Sequence, residues 1–292
     1  MTVAVTGGTG FTGEHVVREL LAAGRTVRCL VRPTSDVSRV PDGVTLVEGT
    51  LEDAASLRRL LKGAEALVKV SSLGFGHARA VLEACAETSV SRGVFFSTTS
   101  IFTKLPARSG HVRGDAEKRI EQSGLSWTIL RPTMIYGSER DRNLSRLIRF
   151  LARTPAVPLP GGGRALIQPV QARDLARAVV SVLQTPATAS RAYNLPGRSP
   201  ASLREVVAFL LRALGRGVPI ISVPVRLAAA AAGLWQRTGL PPRVTREQVL
   251  RLVEDKAFGY EDAERDFGYR PGTWQEGLSL ELERLRSIQW IS

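Results

Sequence analysis

Cysteine is nearly absent from this chain of 292 residues: Cys29 and Cys85 lie far apart, each in an apolar segment. Two such thiols cannot staple a fold, so a disulfide scaffold is excluded and a reducing, cytoplasmic setting is expected. The chain opens on its first strand signal with no charged-then-apolar leader, which agrees with that expectation. Histidine is as scarce (His15, His77 and His111), and nothing among these and the cysteines has metal-ligand spacing, so no metal is expected. A G-x-S-x-G elbow and a phosphate loop ending in Lys-Ser or Lys-Thr are both missing, and nothing points to a serine hydrolase or a P-loop enzyme. Long hydrophobic runs are missing too. The most apolar stretch, residues 225–235 with its alanine run, is about half the length a bilayer span requires, so no transmembrane segment is expected. It reads as a packed helix, with an interfacial or partner-binding helix as the other reading.

Lysine supplies only five of the forty basic side chains, and the formal net charge is +13. The excess is spread evenly, with 21 basic against 15 acidic residues in the first 150 positions and 19 against 12 in the rest. Nucleic-acid footprints are clustered, so nucleic acid is not an expected partner. What remains, 43% hydrophobic and 23% charged, is an ordinary globular composition long enough for one large body with a smaller appendage.

Strand and helix signals alternate through the first two thirds. Apolar runs at residues 3–6, 26–31, 45–47, 66–70, 93–97 and 127–130 predict strands; helical spacing at 14–23, 54–61, 78–88 and 114–122 predicts helices between most of them. Near-continuous apolar strands separated by helices imply a parallel sheet covered on both faces. Further on, helices are predicted at 143–153 and at 174–183, the latter capped by Asp174, with short strands at 165–170 and 191–195. Ser202 with Glu205, and Thr245 with Gln248, have capping-box spacing, so the last third is read as mostly helical.

One motif carries chemistry. Thr6-Gly7-Gly8-Thr9-Gly10-Phe11-Thr12-Gly13 contains both G-x-G-x-x-G and G-x-x-G-x-x-G spacing, directly between the first strand and the first helix. Glycines at Gly7, Gly10 and Gly13 allow a tight turn and close backbone approach to a pyrophosphate, and the amides opening the helix at Phe11, Thr12 and Gly13 face its charge. A dinucleotide is therefore the expected cofactor. Arg32, about twenty residues past the glycines at the end of the second strand, stands where a discriminating residue is expected, and no carboxylate stands beside it in Val31-Arg32-Pro33-Thr34-Ser35, so NADP is favoured over NAD.

With TGGTGFTG at 6–13, VEGTLED at 47–53, FFSTTSIF at 95–102, LRPTMIYG at 130–137 and IQPVQARDLA at 167–176, the sequence resembles the short-chain dehydrogenase/reductase superfamily, in its extended or atypical, epimerase-like and NmrA-like branch. These segments follow the family's order over nearly the whole chain. The resemblance implies an α/β fold: a Rossmann doubly wound parallel sheet over residues 1–137, completed by segments around 165–195, with a smaller, mostly helical substrate-binding region mainly in 138–292. It places Thr50 and Leu51 beside the adenine, Ser71 along the cofactor, and Thr99 at the Ser/Thr position that hydrogen-bonds the substrate oxygen. It also implies a homodimer seam through 78–88 and 111–122.

Several positions depart from the family: Thr50-Leu51 stands where relatives usually have Asp before Leu, and Ser71-Ser72-Leu73 where a small apolar pair is usual; the larger departure concerns its Tyr-x-x-x-Lys pair, whose positions fall at Ser109 and Arg113. The family's tyrosine exchanges the substrate proton while its lysine lowers the tyrosine pKa and holds the nicotinamide ribose. Arg113 can hold the ribose but cannot lose a proton, and Ser109 is a poor acid. His111, read as lying in the loop of the missing tyrosine, has the pKa range for the proton; the other reading is an exposed histidine with no chemistry. Tyr136 and Lys118 read as structural and solvent-facing. Trp235, Trp274 and Trp290 read as core residues, or as marks of an apolar pocket. The expectation is an oxidoreductase or epimerase acting on a carbonyl or hydroxyl of a nucleotide sugar or small metabolite. The alternative is a protein that binds NADP(H) without chemistry, as a redox sensor or assembly factor.

Overall fold

The computed structural model describes residues 1–88, 90–105, 108–141, 143–238 and 245–291, with the side chains of 108–110 also outside the description. The chain divides into two units interleaved in sequence. The first comprises Met1–Ile135, Val170–Pro196 and Gly259–Pro271; the second comprises Tyr136–Pro169, Gly197–Phe258 and Gly272–Ser292.

The first unit is a seven-stranded parallel sheet. Its strands are β1 (Thr2–Thr6), β2 (Thr26–Val31), β3 (Thr45–Glu48), β4 (Ala66–Lys69), β5 (Arg92–Phe96), β6 (Ser126–Pro132) and an edge strand, Arg191–Leu195. Across the sheet the order is edge strand, β6, β5, β4, β1, β2, β3. The chain winds outward from β1 to β3 and then crosses back to β4 on the other side of β1. That reversal opens a crevice at the carboxyl ends of β1 and β4, where doubly wound sheets bind ligands.

Helices α1 (Phe11–Ala22), α2 (Ala54–Leu61), α3 (Ala78–Glu87) and α4 (Arg108–Glu121), together with Ala172–Gln184, cover the sheet. One apolar layer joins Val3, Val5, Val17 and Leu20 to Val179 and Tyr193. The other joins Ala4, Leu57, Leu60 and Leu67 to Val81, Phe95 and Ile120. Alternate residues of β1 thus serve opposite faces, as a strand buried on both sides requires.

Three local expectations are corrected. Helix α4 begins at Arg108, six residues before the periodicity starts, because burial of Ala116 and Ile120 carries the helix back through Gly110 and Gly114 despite their poor propensity. His111 therefore lies on a helix and not in a loop. Asp174 sits inside the first turn of a helix whose N-cap position is Gln171, which brings no capping side-chain bond; its carboxylate is buried and paired with Arg177. The single strand expected at 165–170 is two, Leu166–Ile167 and Val170–Gln171, separated around Pro169, which has no amide to donate.

The second unit is mainly helical: Leu144–Leu151, Leu203–Ala213, Val225–Thr238, Arg246–Arg251 and Trp274–Ser287, with two short strand pairs. Ser202 and Thr245 form the expected capping boxes, and Thr273 with Glu276 forms a third that the sequence reading passed over. Trp274 is buried against Phe209, Trp290 lies under the Arg149 guanidinium at 4.2 Å, and Trp235 is exposed. The Trp274–Ser287 helix buries the carboxyl of Glu281, only 2% exposed, and as an ionised carboxylate neither of its oxygens has a donor among the described residues. Asp141 faces it with one oxygen, Oδ2, that has no donor among the described residues, while Oδ1 accepts from the amides of Asn143 and Ser145 at 2.9 and 3.1 Å.

Candidate functional site

The loop from β1 to α1 is shaped by what cannot fit in it. A Cβ on Gly13 would stand 1.9 Å from the Gly7 carbonyl oxygen, and one on Gly7, whose φ is +79°, would stand 2.7 Å from the Ser71 nitrogen. The Gly10 amide closes the turn on the Gly7 carbonyl at 3.0 Å. Gly10 is also the N-cap of α1 and brings no capping side chain. Helix starts are ordinarily capped by Ser, Thr, Asp or Asn; here the amides of Phe11, Thr12 and Gly13 are left for an anion. The cradle therefore fits a pyrophosphate.

Its floor is the exit of β4. Lys69, fully buried between Thr6 and Phe95 of the flanking strands, donates to the Ser71 carbonyl at 2.8 Å, the Ser71 hydroxyl at 3.1 Å and the Ser72 carbonyl at 3.5 Å. The Ser71 hydroxyl also meets that of Thr6 at 3.0 Å. An ammonium thus ties the β4 exit turn against Gly7. Burial away from any compensating charge pushes the Lys69 amine down to about 8. Nothing in the local sequence pattern marks this lysine.

On the β2 side of the cradle, Arg32 follows β2 directly and is exposed; its amide donates to the Ser35 hydroxyl at 3.2 Å. Thr50 and Leu51, half-buried, precede Glu52, which topology brings towards Arg32 from the loop after β3. The Thr50 hydroxyl first, then the Glu52 amide, His77 and Arg32, hold the Glu52 carboxyl below the usual carboxylate range. His77 Nε2 lies 3.2 Å from Glu52 Oε1. In sequence Glu52 is one acidic residue of the 47–53 segment; its approach to Arg32 is not visible at the end of β2, because the carboxylate arrives from the loop after another strand.

At the other edge, Thr99 opens a 3-10 turn after β5 and is 5% exposed, its hydroxyl donating to the Pro132 carbonyl at a long 3.4 Å. Ser97, two residues earlier, has a buried hydroxyl with no partner among the described residues. Helix α4 packs on this turn and on the Leu73–Phe75 turn after β4. The Arg113 guanidinium lies against Gly74, within 3.3 Å of where a Cβ would stand, so α4 delivers Arg113 to the β4 exit. His111 is on the same helix with its side chain exposed. The side chain of Ser109 lies outside the described residues. Glu117, buried, anchors α4 to β6 by accepting from Arg131 Nε and Nη2 at 3.1 and 2.5 Å. The Arg131 guanidinium in turn covers the Phe102 ring at 5.4 Å. Phe75 and Phe102, one in each turn, remain 69% and 48% exposed.

The family model described as NAD(P)H-binding matches residues 7–186. The chain is 26% identical over 321 residues to the 4-hydroxy-2-methyl-3-oxo-4-farnesyl-3,4-dihydroquinoline-1-oxide ketoreductase of Stigmatella aurantiaca, covering 95% of each. It is 27% identical over 233 residues to the NAD(P)H azoreductase of Xenophilus azovorans, covering 78% of this chain and 79% of that one. Among solved structures, the UDP-glucose 4-epimerase of Thermotoga maritima with UDP-glucose aligns with a TM-score of 0.80 at 18% identity, over 99% of this chain and 100% of that one.

Proposed function

We propose, from the premise that the chain belongs to the NAD(P)H-binding family and has the fold of epimerase-like short-chain dehydrogenases/reductases, that it is an NADP(H)-dependent oxidoreductase interconverting a carbonyl and a hydroxyl on an apolar small molecule. The observation that carries this is the cradle: a helix start without a capping side chain, on a turn where a Cβ at Gly7 or Gly13 would collide with backbone. Arg32 supports the 2′-phosphate, offering a charge-assisted contact at the end of β2. When bound, the nicotinamide supplies or accepts hydride.

The chain's own residues do the rest. Thr99 orients the substrate oxygen: its present bond to Pro132 is long enough to be weak, so its hydroxyl can turn to donate to a carbonyl. Arg113 holds the nicotinamide ribose from the β4 exit and keeps its charge throughout. His111 exchanges the proton with solvent on the substrate side. The exposed rings of Phe75 and Phe102 favour an apolar substrate over a sugar, and the ketoreductase relative is named for a farnesylated quinoline. A second reading, dinucleotide binding without turnover, is favoured by Ser109 and Arg113 standing in place of the Tyr-x-x-x-Lys pair.

The test is fluorescence titration with NADPH and NADH, followed by apolar ketones and nucleotide sugars assayed at the nicotinamide absorbance, with Thr99→Val and His111→Ala beside wild type. Turnover of ketones that is lost in both variants, with NADPH affinity unchanged, is expected. NADPH binding without turnover on any substrate would establish the second reading, and failure to bind either nucleotide would refute both.

A further inference from the structure

The Val225–Thr238 helix of the second unit carries chemistry that the proposed reaction does not use. Ala229 and Ala232 are buried and define its inward face. On the opposite side Leu227, Ala230, Ala231 and Leu234 recur at helical spacing and are all exposed, Leu227 at 64% and Leu234 at 67%, with Trp235 beside them at 43%. Single exposed apolar residues are ordinary, but a continuous stripe marks a contact surface. Along one flank of the stripe, Arg226 and Arg237 stand three turns apart on the same line of the helix. With Ala230 and Gly233 they border a groove of about 530 Å³, closed on its far side by Arg246 and Leu250 of the Arg246–Arg251 helix. The Val225–Thr238 helix contains no acidic residue. From position 225 to 251 the sequence holds five arginines against one acid, Glu247, which Arg251 already engages at 2.7 Å.

We propose that this face docks on an anionic lipid surface, Leu227, Leu234 and Trp235 entering the acyl boundary while lipid phosphates occupy the arginine groove. The distribution is that of an interfacial helix: leucine and tryptophan on one side, cations on the flank, and small residues where headgroups approach. No helix among the described residues is long and apolar enough to cross a membrane, so the contact is peripheral. A second copy of the chain fits poorly, because a two-fold contact through this face would bring the same arginines of both copies together.

The experiment is co-sedimentation of the full chain with vesicles of phosphatidylcholine alone or mixed with phosphatidylglycerol, read together with tryptophan fluorescence and with Trp235→Phe as the spectral control. Binding to the mixed vesicles only, reversed by salt, is expected, with a blue-shifted Trp235 signal. Replacing Arg226, Arg237 and Arg246 together by Gln should weaken it on the order of a hundredfold. Leu227→Ser with Leu234→Ser should abolish the shift while leaving thermal stability and NADPH affinity unchanged, since both leucines are exposed. Equal binding to neutral and anionic vesicles, or none to either, would overturn the proposal. So would light scattering that shows an oligomer which the double serine variant dissociates, because the face would then belong to a second copy.

Discussion

Replacing Glu281 by Gln should stabilise this protein, and increasingly so as pH rises. Burial first, then the neighbouring carboxyls of Asp141 and Glu139 against a smaller opposing effect of Arg284, push the Glu281 carboxyl up to about 10. Protonated, it can donate to the unpartnered Asp141 Oδ2, so one proton satisfies two orphaned groups. In the unfolded chain the same carboxyl titrates near 4.5. From that pH up to about 10 the folded state therefore binds a proton that the unfolded state lacks, and stability falls with pH by about 1.4 kcal/mol per unit across the window. Glutamine keeps the shape and the donor and has nothing to titrate. Between pH 5 and pH 8 the variant should gain about 4 kcal/mol on wild type, a widening of the Tm difference on the order of 10 °C. The assay is thermal unfolding of both proteins from pH 5 to 9 at constant ionic strength. Parallel Tm curves would show that Glu281 holds no extra proton when folded, and a variant less stable throughout would show a carboxylate in use at that position.

Two further outcomes concern the cofactor cradle. Bound phosphates favour the charged form of the Lys69 amine, which titrates at about 8 when folded, so NADPH affinity should fall as pH rises through about 8 in wild type and stay level in Lys69→Met; identical pH profiles by calorimetry would refute the link. Arg32→Ala should weaken NADPH roughly 10- to 100-fold while sparing NADH, as expected for one charge-assisted hydrogen bond; equal loss for both nucleotides would mean that Arg32 does not read the 2′-phosphate.

Local patterns were legible and arrivals from elsewhere in the chain were not. The turn from β1 to α1 could be read because its glycines, strand and helix are contiguous, and β2 and α2 agree with their apolar patterns to the residue. The start of α4 was hidden because Ser109, Gly110 and Gly114 argue locally against a helix that burial further along sustains. Topology alone brings Glu52 towards Arg32, and only three-dimensional packing isolates Lys69 and Glu281, each of which reads in sequence as one more charged residue. Lys118, read as solvent-facing, is exposed, while its neighbour Glu117, which local pattern does not mark, ties α4 to β6.

The late return of residues Gly259–Pro271 to the first unit bears on how the protein is made. Tyr269 donates to the Pro196 carbonyl at 2.8 Å, the rings of Phe267 and Tyr193 meet edge to face at 5.1 Å, and the Tyr193 hydroxyl donates to Asp266 at 2.8 Å. On the ribosome, the edge strand at 191–195 emerges long before this clamp. A nascent chain must hold that edge unclamped until the stretch through Pro271 has been synthesised, an interval in which chaperones and proteases have access to it.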